Sequence, residues 1–385
     1  MPLLLTLLCL TFERRGEFPP DRDEIYRWAV NALLFEWDNS RLIKRDALYK
    51  GLDVKYKERL LAWVAAQTFD CGEYLLEEAR LADLIAQYLA TVPGLATPLD
   101  GLGVLKAIEA HHGLLVERAQ GIYSFSHLTL QEYFTARYIV DNAAAGTLPR
   151  LMQHVGEDRW REVFLLTAGM LYDAQAFASA YLAALAQMAA QDKTVTEMLQ
   201  WGVQQSAQSR GGVKPPALRA LLIYLARARA LARNLALARA LTLALAAAYD
   251  WLLLNDLPDE TAGIVPHVQQ WSQQATIPDW LRTALAGLSV PSAAADAAAW
   301  QAFHEQVEAI LLRHWGLTQF WELSPKQADL LARYLAANQL LLECLAVASV
   351  PNREAIEAQM LLPSQQATEN KKQKTDSGKQ ATENR

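Results

Sequence analysis

Few residues in this chain are of a type and spacing that could do chemistry. His127 lies two residues before Thr129, where a helical period begins, so it stands at the mouth of a helix whose unpaired N–H groups and dipole favour an anion. On its own residues it reads more readily as a capping or core histidine. His111 and His112 are adjacent and so fall on different sides of a helix, with no carboxylate or thiolate at ligand spacing, which excludes a readable metal site. Cys9, Cys71 and Cys344 are odd in number and far apart. They give neither a disulfide framework nor a C-x-x-C pair, and fit buried free thiols in a reducing cytoplasm. Between Gln205 and Tyr249 stand seven basic residues (Arg210, Lys214, Arg219, Arg227, Arg229, Arg233 and Arg239) and no acidic one. Their spacing scatters them around a helix, so a solvated surface is expected rather than a polyanion patch. Nowhere is there G-x-x-x-x-G-K-[ST], the loop that cradles nucleotide phosphates, and no apolar strand ends in paired acids that could hold Mg²⁺. No residue is a candidate catalyst, and the chain is not expected to be an enzyme alone.

The elements around these residues are mostly helical. The chain has 385 residues, enough for about two or three domains, with 52% hydrophobic residues and a net charge of -6 that gives no sign of a general polyanion binder. The opening MPLLLTLLCLTF has no basic residue before Leu3 and no small-residue cleavage step, so it does not read as a leader. It is also shorter than the roughly 18–20 residues a membrane span needs. It reads as a short helix enclosed by other protein. The longest charge-free stretch, Ala174 to Gln191, is mostly Ala and Gln and reads as a packed helix. Asp21 and Glu24 after two prolines suggest a capping box, with Ile25, Trp28, Ala29, Ala32 and Leu33 on one face. Helical patterns follow over Glu58 to Phe69, Glu73 to Leu89 and GLGVLKAIEAHH, with a loop at Pro93, Gly94 and Pro98. GLLVERAQGIYSFSH alternates apolar and polar residues around RAQG and reads as a hairpin. From Thr129 the helical period returns, with Leu130, Phe134 and Tyr138 on a face and a second capping box at Thr129 and Glu132. Helices, one hairpin and a closing helix describe a winged helix, placed at 56–142. Beyond Pro149 the chain reads as helical, with LAR at 225, 231 and 237, breaks at Pro291 and Pro325, and a polar tail containing QATEN twice. The expected fold is mainly α. Its parts are the end of a helical domain (1–55), the winged helix (56–142), an Ala-rich helical domain (143–277), a second helical domain (278–363) and a disordered tail (364–385).

Two phrases carry a resemblance. YSFSHLTLQEYFTARYIV (123–140) and the opening PLLLTLLCL together resemble NACHT-family signalling NTPases, the group that includes the NOD-like receptors and many bacterial defence proteins. In that family a winged helix ends in a phrase like F-S-H-L-T-x-Q-E-Y, and the preceding helical domain begins near P-L-L-L. RWREVFLLTAGML and NQLLLECLAVASVPNREAIEAQMLLP extend the likeness toward residue 363, the latter resembling the closing block of cyanobacterial members. The resemblance implies that His127 meets the β-phosphate of bound ADP and that Pro2 packs against the adenine. The winged helix would close on the nucleotide domain, and exchange of ADP for ATP would release it. Without a phosphate-cradling loop, the chain is expected to be the rear part of such a protein. ADP or ATP would bind only when an NTPase core completes the site, and that missing half is the expected partner. A protein trigger would be sensed by the later helices, in the cytoplasm and without membrane insertion.

A winged helix can also bind DNA, and this is the rival reading. The recognition-helix candidate GLGVLKAIEAHH offers only Lys106 against Glu109, and the wing only Arg118 against Glu117, so nucleic acid is not the expected partner. A third reading is a helical protein-interaction module over residues 150–363.

Overall fold

The computed structural model describes residues 9, 12, 16, 24–31, 34, 54–95, 100–208, 215–231, 283–284, 286–289, 299, 302–303, 306, 309–310 and 321–363. Pro2, Asp21, Ala32, Leu33, Pro98, the basic residues Arg210, Lys214, Arg233 and Arg239, Pro291 and the tail lie outside them, as do the side chains of His111, His112 and Arg229. The chain divides into two compact units, 1–177 with 343–351 and 178–342 with 352–385.

In the first unit the described elements are α1 (Val54–Asp70), β1 (Leu76–Glu77), α2 (Glu78–Leu89), α3 (Gly101–His112), β2 (Leu115–Ala119), β3 (Ile122–Phe125), α4 (Leu128–Asp141), α5 (Thr147–Leu151) and α6 (Arg161–Met170). Local chemistry fixes several ends. Asp100 accepts a 2.7 Å bond from the Gly103 N–H at the start of α3, and Gly113 closes that helix at φ 58°. Gly101 lets α3 approach α2, because a Cβ there would lie 2.1 Å from the Ala82 carbonyl oxygen.

The hairpin expected from alternation is present, in an antiparallel sheet of order β1-β3-β2. Its third strand was not legible. The helix expected over Glu73 to Leu89 starts only at Glu78, because Leu76 and Glu77 pair with Tyr123 and Ile122. On the other side Leu115 pairs with Phe125 and Val116 with Ser124. A bulge between Glu117 and Ala119 leaves Arg118 without a cross-strand partner in the ladder, which re-aims its side chain.

The central helix of this unit is α4. It buries Leu130, Gln131, Glu132, Tyr133, Phe134, Thr135, Ala136 and Ile139, against α1 on one side and α6 on another. Fully burying a residue such as Leu130 or Phe134 contributes about 1.5–3 kcal/mol. Tyr133 stacks on Tyr26 at 5.5 Å, and Phe134 meets Phe125 at 6.2 Å. Helical residues 24–31 bury Tyr26, Ala29 and Val30. That face is displaced from the one expected through Ile25 and Trp28, which are only half-buried, because the Tyr26 ring is drawn to Tyr133.

In the second unit lie α7 (Gln175–Ala190, from residue 178), α8 (Lys193–Gln208), α9 (Pro215–Leu231), most of α10 (Pro325–Val347) and α11 (Arg353–Gln359). The packed helix expected over the charge-free stretch is α7, which buries Tyr181, Leu185 and Met188. Gly202 lets α8 and α9 pack closely, since a Cβ there would come within 3.2 Å of Ile223. The helix α10 opens on a capping box that the sequence reading did not single out. Ser324 Oγ accepts from the Gln327 N–H at 3.4 Å, and Gln327 Oε1 accepts from the Ser324 N–H at 2.9 Å. Among the described residues α10 alone is long and apolar enough to cross a membrane by length and composition, but 61% of its most apolar window is buried, as in a core helix.

Three surface expectations are corrected. Cys344 is buried as expected, but Cys9 and Cys71 are exposed. Cys71 sits in the turn after α1, where Gly72 reverses the chain at φ 71°. Phe12, expected inside an enclosed helix, is 45% exposed. Arg219, placed among the solvated basic residues, is buried in α9. Its guanidinium donates to Met360 O at 2.8 and 3.1 Å and to Ala358 O at 2.7 Å, supplying donors to carbonyls at the end of α11.

Candidate functional site

The site is built at the junction of β3 and α4. His127 is the N-cap of α4, with extended backbone (φ -142°, ψ 145°), an exposed side chain and no side-chain capping bond. The capping box expected at Thr129 and Glu132 is not formed, because the helix begins at Leu128 and so places Thr129 inside its first turn. The chain enters the helix early because its approach is tied. The Ser126 N–H donates to Leu114 O at 2.9 Å, and the first helical turn closes from the Leu130 N–H to His127 O at 3.1 Å.

Arg118 holds the same approach from the other side. Aimed by the bulge, its guanidinium donates to Ser124 Oγ at 2.9 Å, Ser126 O at 2.7 Å and Phe125 O at 3.4 Å. Ser124 in turn donates to Phe125 O at 2.8 Å. Behind His127, Gln131 fixes α4 against the end of α1. Its buried amide donates to Thr68 Oγ1 at 2.9 Å and Glu73 O at 3.1 Å, while Thr68 donates to Val64 O at 2.9 Å. From sequence alone Gln131 carries no expected task and Arg118 is expected only in a wing. The bulge that sets Arg118 has no signature in the residue types, whereas a glutamine among apolar helix positions was a visible sign of a buried polar tie.

The phrase Ser124 to Phe134 therefore divides sharply. Ser124, Phe125, Leu130, Gln131, Glu132, Tyr133 and Phe134 are buried, Ser126 and Thr129 are half-buried, and only His127 and Leu128 face outward. The arrangement presents one imidazole at the positive end of a 14-residue helix, on a rigid support. Such a group can donate a ring N–H to an anion's oxygen. Among the described residues no nucleophile or base is hydrogen-bonded to its ring. Among those residues no group of three or more His, Cys, Asp and Glu is placed to hold a metal ion.

The cations expected to matter for DNA are engaged within the domain. Lys106 on α3 pairs with Glu78 at 2.6 Å and Glu117 at 3.7 Å and donates to the Tyr123 hydroxyl. The bond to Glu78, reinforced by that to Tyr123, holds its ammonium well above the ordinary lysine range. The Gly121 N–H, 2.7 Å from Glu117 Oε1, holds that carboxylate below its usual range, and burial pushes the Tyr123 phenol up. The outward positions of α3 among the described side chains, Leu102, Lys106 and Ala110, thus carry one cation, already neutralised.

A second cluster lies nearby in the same unit. His154 stacks on Trp160 at 4.0 Å, with Nδ1 3.1 Å from Glu157 and Nε2 3.4 Å from Asp70. The cleft beside it has a volume of only about 90 Å³, too small for a nucleotide.

Three antiparallel strands, a helix pair in front of the hairpin and a closing helix define a winged-helix protein of mainly α class. Comparison with known families agrees and is more specific. The family described as "Winged helix-turn-helix domain C-terminal to NACHT" matches residues 22–139, and "NACHT C-terminal Helical domain 2" matches residues 290–363. The chain thus carries two domains of kinds found carboxy-terminal to NACHT. The winged-helix match begins at residue 22, inside the segment that the sequence reading gave to the preceding helical domain. No curated protein and no solved structure matches the chain. Both matched families are, by description, domains that lie carboxy-terminal to NACHT.

Proposed function

We propose that this chain is the regulatory rear part of a nucleotide-dependent signalling switch. Its winged helix is a lid over ADP bound on an NTPase core carried by other residues, and its later helices sense the trigger, as in bacterial defence or signal transduction. The observation that carries this reading is the division of the 124–134 phrase into a buried, hydrogen-bonded scaffold and one outward imidazole at a helix mouth. A histidine there can donate to a phosphate oxygen while the helix N–H groups and dipole favour the same charge. Exchange of ADP for ATP changes the position of the terminal phosphate. The two nucleotides then bind the closed and open states unequally, which is what a switch requires. Pro2, expected against the adenine, completes the proposed contact set.

The test is calorimetric titration of ADP and ATP into the isolated chain, with a phosphate-release assay beside it. We expect no saturable binding at micromolar concentrations and no turnover, since the chain has no phosphate-cradling loop. Tight binding of ADP by the chain alone, or turnover abolished by His127→Ala, would overturn the reading. The duplex-binding alternative is disfavoured by the engagement of Lys106 and Arg118 with carboxylate, hydroxyl and carbonyl groups of their own domain. Salt-dependent retention of duplex DNA in a gel shift at physiological ionic strength would favour it instead.

A further inference from the structure

We propose that the second unit contains a binding site, separate from the nucleotide lid, for an uncharged, largely apolar small molecule carrying a hydroxyl or amide N–H donor. The site is a groove of about 690 Å³ between α7, α10 and the segment that follows α11. Ligand pockets span about 300–1,000 Å³, so the volume is that of a small-molecule site. The groove exists because α7 turns toward it Ser179, Ala183, Ala186 and Ala190, at steps of four, three and four residues, which leave room that larger side chains would fill. Tyr181, on another side of the same helix, donates to Ala337 O at 3.0 Å and fixes the distance from α7 to α10.

Three further observations point to an occupant and to its chemistry. Among the described residues that line the groove there is no Asp, Glu, Lys, Arg or His, so a charged ligand would find no counter-charge on them. Asn338, on the α10 wall, is fully buried, and its Nδ2 is committed to Tyr334 O at 2.8 Å. Its Oδ1 accepts no hydrogen bond, which leaves a buried acceptor of the kind that a native fold rarely tolerates without a partner. A donor on an otherwise apolar ligand supplies that partner. The opposite wall is Leu361 and Leu362, and Leu361 is held at φ 58°. This is a left-handed conformation that a leucine adopts only where its surroundings impose it. Arg219 imposes it, clamping Met360 O and Ala358 O immediately before Leu361. The wall is thus set before any ligand arrives.

The test uses the full chain and three naphthalene probes followed by fluorescence: 1-naphthol, which is neutral and carries one donor; 1-methoxynaphthalene, which lacks the donor; and 1-naphthoate, which is anionic. We expect saturable one-to-one binding of 1-naphthol, and binding weaker by about tenfold or more for both other probes, the methoxy compound because it leaves the Asn338 acceptor unpaired. Ala186→Phe, on the half-exposed groove face of α7, should abolish 1-naphthol binding while leaving the circular dichroism melt in place. Asn338→Leu should bring the hydroxyl and methoxy probes to equal affinity. The proposal is overturned if 1-naphthol shows no saturable binding. It is equally overturned if the binding survives Ala186→Phe, or if the folded wild-type chain binds the methoxy or anionic probe as tightly. These outcomes are independent of ADP, so failure here leaves the lid reading intact, and the converse holds.

Discussion

The division of the 124–134 phrase into scaffold and presented residue makes a quantitative prediction about stability. Gln131→Met keeps the length and volume of the side chain but removes its two donations, to Thr68 Oγ1 at 2.9 Å and Glu73 O at 3.1 Å. Each neutral hydrogen bond contributes about 1 kcal/mol, and an acceptor left unpaired in a buried setting adds to the loss. The expected destabilisation is about 2–3 kcal/mol. With a urea dependence of roughly 2–3 kcal/mol per molar, this lowers the unfolding midpoint by about 1 M. His127→Ala is the control. Its imidazole is exposed and makes no capping bond, so the substitution should fall within about 0.5 kcal/mol of wild type, as for a surface residue. Urea unfolding read by tryptophan emission suits both variants, since Trp63 lies in α1 and Trp160 packs edge-on against Phe69 at the end of that helix. If His127→Ala costs more than about 1 kcal/mol, the histidine is a structural cap and the lid argument loses its footing. If Gln131→Met is neutral, the scaffold half of the argument fails.

Other expectations follow from the buried groups. In the native chain Cys9 and Cys71 should react promptly with a thiol reagent such as dithionitrobenzoate and Cys344 should not, with all three reacting in urea; prompt labelling of Cys344 would contradict its place in the core. Burial pushes the Cys344 thiol and the Tyr334 phenol up from their ordinary values near 9 and 10. The folded state therefore holds protons that the unfolded state has released. Stability is unaffected below about pH 9 and falls as pH rises beyond it, by up to about 1.4 kcal/mol per pH unit for each group. Cys344→Ala should flatten the thiol part of that decline in pH-dependent urea unfolding. Arg219→Met leaves the carbonyls of Ala358 and Met360 without their buried donor and should destabilise the second unit by about 3 kcal/mol or more, measured by hydrogen exchange over 353–359.

The winged helix was legible in the sequence because its elements announce themselves by period. The alternation through LLVER and IYSF gave the hairpin, and GLGVLKAIEAHH gave α3 with the bounds the structure shows. Burial on nearly every side of α4 was less legible, because the apolar stripe through Leu130 and Phe134 does not disclose that Gln131 and Thr135 are also enclosed. The short strand at Leu76 was hidden for a different reason: two residues carry no period, and only a partner at Tyr123 makes them extended. The capping box at Thr129 failed because tertiary ties on Ser126 and Arg118 moved the helix start ahead of its local signal. Arg219 misled for the converse reason. A cation in a basic run reads as surface until the carbonyls that it serves, 139 and 141 positions away along the chain, are known. Of the two residues proposed to contact nucleotide, His127 is the exposed N-cap of α4, and Pro2 lies outside the described residues.

The most direct measurement is the release of a fluorescent ADP analogue from a NACHT nucleotide core joined to this chain. A charge-assisted contact to phosphate is worth about 1.5–3 kcal/mol, so His127→Ala should speed release by roughly 10- to 100-fold without changing the unfolding midpoint. Release at the wild-type rate from the His127→Ala protein would contradict the lid.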